Sequence, residues 1–133
     1  MADLSRAGMS GHSAGGFAAL KTMHDDRRPQ AGANLDGMLA YVQEAGAPGH
    51  WSPVARYGLD RPFPLMGKDG NHLATVPSWA APARHSSARL RCVTLPGSAH
   101  GTYTDAEAVL PHIARAPDLP RDMITAGSRW QHR

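Results

Sequence analysis

The stretch Gly8-Met9-Ser10-Gly11-His12-Ser13-Ala14-Gly15-Gly16-Phe17 decides the fold of this chain. Its centre, Gly11-x-Ser13-x-Gly15, is the pattern of a nucleophile elbow, a tight strand-to-helix turn that lifts a serine hydroxyl above a sheet. We expect the turn to be so close-packed that a Cβ at position 11 or 15 would clash with neighbouring backbone. The pattern therefore predicts a strand before Ser13 and a helix after it.

The flanking residues agree with that prediction. A strand is expected near residues 6–10, and a helix from Ala14 to about His24, with Phe17, Leu20 and Met23 on one face. The alternative is a glycine-rich turn with an ordinary serine, since the chain has 14 glycines. A phosphate-binding loop is disfavoured, because neither G-x-x-x-x-G-K-[ST] nor G-x-G-x-x-G is present.

Composition predicts one small domain over residues 1–133, with a net charge of +3 and 41% hydrophobic residues. The basic run at 84–91 is typical of a solvated face, and without interleaved aromatics it does not indicate nucleic-acid binding. No apolar run is long enough for a transmembrane helix. No signal segment is recognisable at the start. The chain as it stands would be cytoplasmic, and secreted if a signal-bearing portion precedes it, so the compartment is left open.

Strand-like and helix-like segments alternate along the chain, which predicts an α/β fold: a parallel sheet of about four strands with flanking helices. We expect a long excursion over 38–61, with a helical turn near 37–44. Pro77 is expected to open a short helix that Pro82 would end or kink. Further helices are expected from Thr104, with Glu107 completing a capping box, and near 121–130. The four strands are expected near 6–10, 31–35, 62–67 and 89–95.

Three residues with complementary chemistry each follow a predicted strand: Ser13, Asp36 and His100. The carboxyl ends of parallel strands share one edge of a sheet, so these side chains are expected to meet there. Serine would be the nucleophile, histidine the general base, and a carboxylate would orient the imidazole. Asp69 also follows a strand and competes for the third role, while Asp36-Gly37 taken alone favours an ordinary Asp-Gly turn.

Other residues are assigned to the surroundings of the predicted site. The backbone N–H of Ala14, at the start of the helix, is expected to be one oxyanion donor. His12, Met38 and Trp79 are candidates for lining a substrate pocket, and Trp79 is also expected to pack inward.

At this point the sequence resembles the platelet-activating-factor acetylhydrolase-like and dienelactone-hydrolase-like serine esterases and lipases of the α/β-hydrolase superfamily. The resemblance implies Ser13 as nucleophile, His100 as base and, from the Leu35-Asp36-Gly37 context, Asp36 rather than Asp69 as the acid. It also implies hydrolysis of small or lipid-like carboxylic esters, with no metal or cofactor. The matching stretches are 3–17, 31–37, 62–67, 77–80 and 94–105.

The resemblance also implies a large departure, because complete members have further strands before the elbow and a loop there that carries the second oxyanion donor. The chain thus corresponds to the carboxyl-terminal half of the fold, with the strand near Arg6–Ser10 left as an exposed edge. Two hypotheses follow. The first is a serine ester hydrolase that works through an acyl-enzyme. The second is a catalytically incomplete interaction module, which dimerises through that edge or needs a partner supplying the missing strands.

Overall fold

The computed structural model describes residues 3–42 and 50–105. Two parallel strands come first, β1 (Gly8–His12) and β2 (Ala31–Leu35). A short antiparallel pair follows, β3 (Ala40–Val42) with β4 (His50–Trp51), and then β5 (Phe63–Gly67) and β6 (Leu90–Thr94). The main sheet has the order β1-β2-β5-β6 with every neighbouring pair parallel, so the predicted four-stranded parallel sheet is confirmed.

Three α-helices flank this sheet in the described residues: α1 (Ala14–Asp25), α2 (Pro53–Tyr57) and α3 (Pro77–His85). Short 3-10 turns occupy Leu4–Arg6 and His100–Tyr103. The helices share one apolar core with the sheet face that carries Phe63 and Leu65. The helical members of this core include Leu20, Met23, Val54, Ala55, Trp79 and Ala81.

Helix α1 lies close against the sheet because β2 has no side chain at Gly32. A Cβ built there would lie 2.2 Å from Met23 Sδ and 3.0 Å from Leu20 Cδ2. Both contacted side chains are fully buried members of the core. The small residue at position 32 thus sets how near α1, and the turn at its start, can approach the sheet.

The strand that leads into the elbow is shifted from its predicted position. It runs from Gly8 to His12 rather than from 6 to 10, paired in register from Gly8 opposite Ala31 to His12 opposite Leu35. Two glycines in five residues give it little intrinsic strand preference. Pairing with β2 therefore determines where β1 begins and ends, and no local sequence pattern encodes that pairing.

One further expectation is wrong, and a second is wrong in part. The segment near 37–44 has no helical turn within its described part; Ala40–Val42 is instead β3, paired with β4. Pro82 does not end α3, because the helix continues to His85, and the alternative, that Pro82 kinks the helix, stays a prediction. Proline lacks a backbone donor, yet α3 continues for three residues beyond Pro82, whose ring is buried in the interior.

The helices predicted beyond Thr104 and near 121–130 lie outside the described residues. Across 3–42 and 50–105, no helix has the length and hydropathy that crossing a membrane requires.

Candidate active site

Ser13 stands at the junction of β1 and α1 in a backbone conformation that few residues adopt, with φ 55° and ψ −122°. Several backbone hydrogen bonds hold it there. The Ser13 N–H donates to the Leu35 carbonyl at 2.8 Å, and the Ser13 carbonyl accepts from the N–H groups of Gly16 and Phe17 at 3.0 and 3.1 Å. Strain of this kind persists only where the surroundings over-determine it. The turn has the strand–serine–helix form of a nucleophile elbow.

The glycines around Ser13 differ in whether a Cβ would fit at their positions. A Cβ on Gly11 would lie 2.4 Å from the Gly15 carbonyl, so the clash expected at position 11 is present. The clash expected at Gly15 is not, since nothing lies within 4 Å of a Cβ there. The crowded position is Gly16, where a Cβ would lie 2.1 Å from Asn34 Oδ1 and 2.7 Å from the Gly11 carbonyl. Close packing of helix on strand falls one residue later than the motif suggests.

His100 bridges the serine and a carboxylate. Its Nε2 lies 2.9 Å from Ser13 Oγ and its Nδ1 lies 2.6 Å from Asp36 Oδ2. A carboxylate accepts, so Nδ1 carries the hydrogen and Nε2 is left to accept the hydroxyl proton. Residues separated by 87 and 64 positions in sequence thus form one chain of hydrogen bonds.

Asp36 is 2% exposed, and each of its oxygens has a partner. Oδ2 faces His100, while Oδ1 accepts from the Lys68 N–H at 3.0 Å and from Asn71 Nδ2 at 2.7 Å. The competing carboxylate is elsewhere: Asp69 is exposed, and its backbone contacts Ser98 and Lys68. Between the two candidate acids, Asp36 is the one that reaches His100.

A buried amide supports the turn that presents Asp36, whose φ is 56°. Asn34 is fully buried; its Oδ1 accepts from the Gly37 N–H at 2.9 Å and its Nδ2 donates to the Gly37 carbonyl at 2.6 Å. Trp79 Nε1 donates to the same carbonyl at 2.8 Å. Three hydrogen bonds therefore fix Gly37, the residue directly after Asp36.

A cavity of about 500 Å³ opens beside Ser13. Met38, predicted as a pocket residue, lies in its wall. Trp79 and His12, the other two candidates, do not: Trp79 is fully buried in the core, and His12 contacts the backbone of His100. The wall combines apolar and aromatic residues with polar ones: Ser13, Ala14, Phe17, Asp36, Met38, Ala40, Tyr41, Lys68, Asn71 and His100.

Two side chains hold the segment of His100 from outside the hydrogen-bonded chain. His12 Nε2 lies 2.6 Å from the His100 carbonyl, and the two ring centroids are 4.4 Å apart. Tyr103 Oη donates to the Gly67 carbonyl at 2.8 Å, at the end of β5. Burial, reinforced by the Asp36 carboxylate, raises the pKa of Tyr103, so the phenol stays protonated and able to donate.

Ala14, the expected oxyanion donor, is the first residue of α1 and lies in the cavity wall. The first N–H groups of a helix have no acceptor within the helix, and the helix dipole favours negative charge there. Within the described residues, no group of three or more His, Cys, Asp or Glu side chains is arranged to hold a metal ion.

Sequence reasoning missed Asn34, Asn71 and Tyr103. Asn34 had one usable signal, a polar residue inside an otherwise apolar strand two positions before Asp36. Asn71 and Tyr103 act across the sheet edge, on partners 35 and 36 positions away, and no local pattern encodes those contacts.

The four-stranded parallel sheet with flanking helices is consistent with an α/β-hydrolase-like fold, and comparison with known proteins confirms the resemblance to esterases. No family model matches the chain. The sequence is 30% identical over 115 residues to a protein of Arthroderma benhamiae named a probable 1-alkyl-2-acetylglycerophosphocholine esterase. The fold is similar to that of a ferulic acid esterase from Streptomyces cinnamoneus, with a TM-score of 0.65 and 25% identity.

The matches cover most of this chain and a minor part of each relative. They span 79% of this chain and 27% of the Arthroderma protein, and 92% of this chain and 32% of the Streptomyces enzyme. The chain therefore spans roughly a quarter to a third of the length of the proteins it matches. Both relatives are named as esterases, which makes ester hydrolysis the activity to test.

Proposed function

We propose that the chain carries the catalytic centre of a serine carboxylic-ester hydrolase. Ser13 Oγ attacks the ester carbonyl while His100 Nε2 takes its proton. Asp36 keeps the Nδ1 hydrogen in place and stabilises the imidazolium. Collapse of the tetrahedral intermediate transfers the proton to the leaving alcohol, and water then hydrolyses the acyl-enzyme by the same steps.

The observation that carries the proposal is the unbroken chain of contacts from Ser13 Oγ through His100 to Asp36, at 2.9 and 2.6 Å. Both distances are within the reach that proton transfer needs. The nucleophile also borders a cavity large enough for a small or lipid-like ester. The strained backbone of Ser13 adds support, because conformations of this kind cluster at active sites.

The developing oxyanion needs hydrogen-bond donors, and the Ala14 N–H at the start of α1 is our candidate for one of them. Removal of one such donor typically slows catalysis by about 10²–10³-fold.

A fluorophosphonate probe, which phosphonylates activated serines, tests the proposal directly. Wild-type protein should be labelled at Ser13, and Ser13→Ala should not. Hydrolysis of p-nitrophenyl acetate should fall to background in the same variant. A folded wild-type chain, verified by circular dichroism, that shows neither labelling nor turnover would rule out a working site in this chain.

One observation favours a second candidate, an interaction module. In the described sheet β1 has a single neighbour, β2, so its other side presents unpaired backbone groups. We propose this edge as the place where a second copy, or a partner supplying a strand, would pair. The two candidates are compatible, since pairing at β1 would also buttress the elbow.

A further inference from the structure

His12 makes a contact that takes no part in the reaction steps proposed above. Its Nε2 lies 2.6 Å from the carbonyl oxygen of His100, and its ring lies against the His100 ring with centroids 4.4 Å apart. A carbonyl only accepts, so the Nε2 hydrogen is donated to it. The contact joins the residue before the nucleophile to the backbone of the base, 88 positions along the chain.

This contact differs in kind from the other restraints on His100. Asp36 fixes one ring nitrogen of His100, and Tyr103 ties the following segment to the end of β5. The His100 side chain is itself 50% exposed, so packing alone restrains it weakly. His12 acts on the main chain of His100 and shares a peptide bond with Ser13, so it couples the turn of the nucleophile to the segment of the base.

We propose that His12 is a positioning residue for the reaction proposed above, and the inference rests on that function. Its hydrogen bond sets the His100 backbone, and with it Nε2, at the distance from Ser13 Oγ that proton transfer requires. Since His12 does not line the cavity, it contributes to the rates of acylation and of acyl-enzyme hydrolysis, both of which use His100, and not to substrate binding. Misplacement of a catalytic group by about 1 Å can cost about 10²-fold in rate.

Two substitutions separate the hydrogen bond from ring packing. His12→Phe keeps a ring against His100 and removes the donor, while His12→Gln removes the ring and keeps an amide N–H near the position of Nε2. We expect His12→Phe to lower kcat for p-nitrophenyl acetate by about ten- to a hundredfold with KM unchanged. We expect His12→Gln to stay within about threefold of wild type.

The matched control is His24→Phe, the same change at a half-buried histidine of α1 that stacks on Tyr57 at the far end of the helix. It should leave kcat at the wild-type value. Far-UV circular dichroism and thermal melting of all variants identify any loss that comes from unfolding.

The outcomes are distinguishable. A raised KM with unchanged kcat in His12→Phe would make His12 a substrate contact and overturn the proposal. Equal losses in His12→Phe and His12→Gln, with both folded, would also overturn it, because the donor would then not matter. Labelling of wild type but not of Ser13→Ala by the fluorophosphonate probe tests the parent function independently, so failure at His12 leaves that result standing.

Discussion

Asp36 illustrates at the scale of one residue how burial and hydrogen bonding assign a role. Its carboxylate is withdrawn from solvent and bonded by a backbone N–H, an amide and an imidazole, whereas the Asp69 carboxylate is exposed. A buried carboxylate in contact with a histidine can fix a tautomer, and an exposed one without that contact cannot. This difference leads to a matched pair of predictions.

Asp36→Asn should reduce kcat by about 10³–10⁴-fold, because an amide no longer stabilises the imidazolium and permits the tautomer in which Nε2 cannot accept a proton. The fold should survive, since asparagine tolerates the positive φ at this position. Asp69→Asn should leave kcat unchanged. Steady-state kinetics on p-nitrophenyl acetate measure both; comparable losses in the two variants would contradict our assignment of Asp36.

The residues after each predicted strand were enough to propose Ser13 and His100 and to leave Asp36 and Asp69 as candidate acids, because parallel strands bring their carboxyl ends to one edge. The family resemblance then implied Asp36 rather than Asp69. The restraints on those residues were not predictable in the same way. His12 had been a candidate for the pocket wall and instead contacts the His100 backbone. Its partner is fixed by the packing of two segments far apart in sequence, which no spacing rule describes.

At the scale of elements, the junction of β1 and α1 depends on how near the helix comes to β2. A Cβ on Gly16 would meet the buried Asn34 and the Gly11 carbonyl, while one on Gly15 would meet nothing. The Gly-x-Ser-x-Gly motif places its second glycine at position 15, yet α1 approaches β1 and β2 most closely at Gly16. A pattern in sequence marks a turn, and the helix–sheet distance determines which glycine the turn requires.

We therefore predict that Gly16→Ala lowers the free energy of unfolding by about 1–3 kcal/mol through overpacking. Gly15→Ala should be neutral or stabilising by up to about 1 kcal/mol, because alanine loses less backbone entropy in a helix. Urea unfolding followed by circular dichroism compares the two. A larger loss at Gly15 than at Gly16 would show that the helix does not pack as described.

The turn from β2 to Gly37 gives a second prediction at this scale. Asn34→Leu removes both amide hydrogen bonds to Gly37, leaving a buried N–H without its acceptor, and should cost about 1–3 kcal/mol of stability. Trp79→Phe removes one of two donors to the Gly37 carbonyl but also alters the core around a fully buried side chain. Only Asn34→Leu should also lower kcat, because the turn that holds Asp36 against His100 is then less firmly fixed. Unfolding curves and kcat measured on the same samples separate the two effects.

The ends of the strands show where the local sequence pattern is sufficient to predict the structure. The apolar run 31–35 ends at Asp-Gly and forms β2 over the predicted residues, and β5 and β6 agree to within one residue at each end. The pair β3–β4 was missed because its strands have three and two residues, too short for a periodic signal. The expected partial α/β-hydrolase domain over 1–133 stays a prediction, since residues 106–133 lie outside the described range.

The molecule as a whole has two unlike sheet faces. Phe63 and Leu65 are buried under the helices, while Ala31 and Val93 on the other face are exposed. A shallow groove crosses that second face between β1, β2 and Pro64. Together with the side of β1 that has no partner strand among the described residues, this surface is where we propose that association with a second copy or a partner strand begins.

Strand geometry shows which substitution tests that association. The Ser13 N–H and the Ala7 carbonyl both pair toward β2, so the odd-numbered residues of this strand direct their backbone groups inward. In a parallel ladder the intervening residues direct theirs to the opposite side, which places the Ser10 N–H on the open edge. Ser10→Pro therefore removes an edge donor without removing a hydrogen bond to β2.

We predict that wild-type protein associates with rising concentration in sedimentation experiments and that Ser10→Pro stays monomeric with an unchanged circular dichroism spectrum. Met9→Pro is the control, because it removes an inward-facing N–H and should unfold the strand rather than only its edge. A wild-type chain that remains a folded monomer at about 100 μM would exclude self-association through β1 with a Kd below about 100 μM. If esterase activity rises with the associated fraction and is lost in folded Ser10→Pro, the strand that pairs at β1 completes the site.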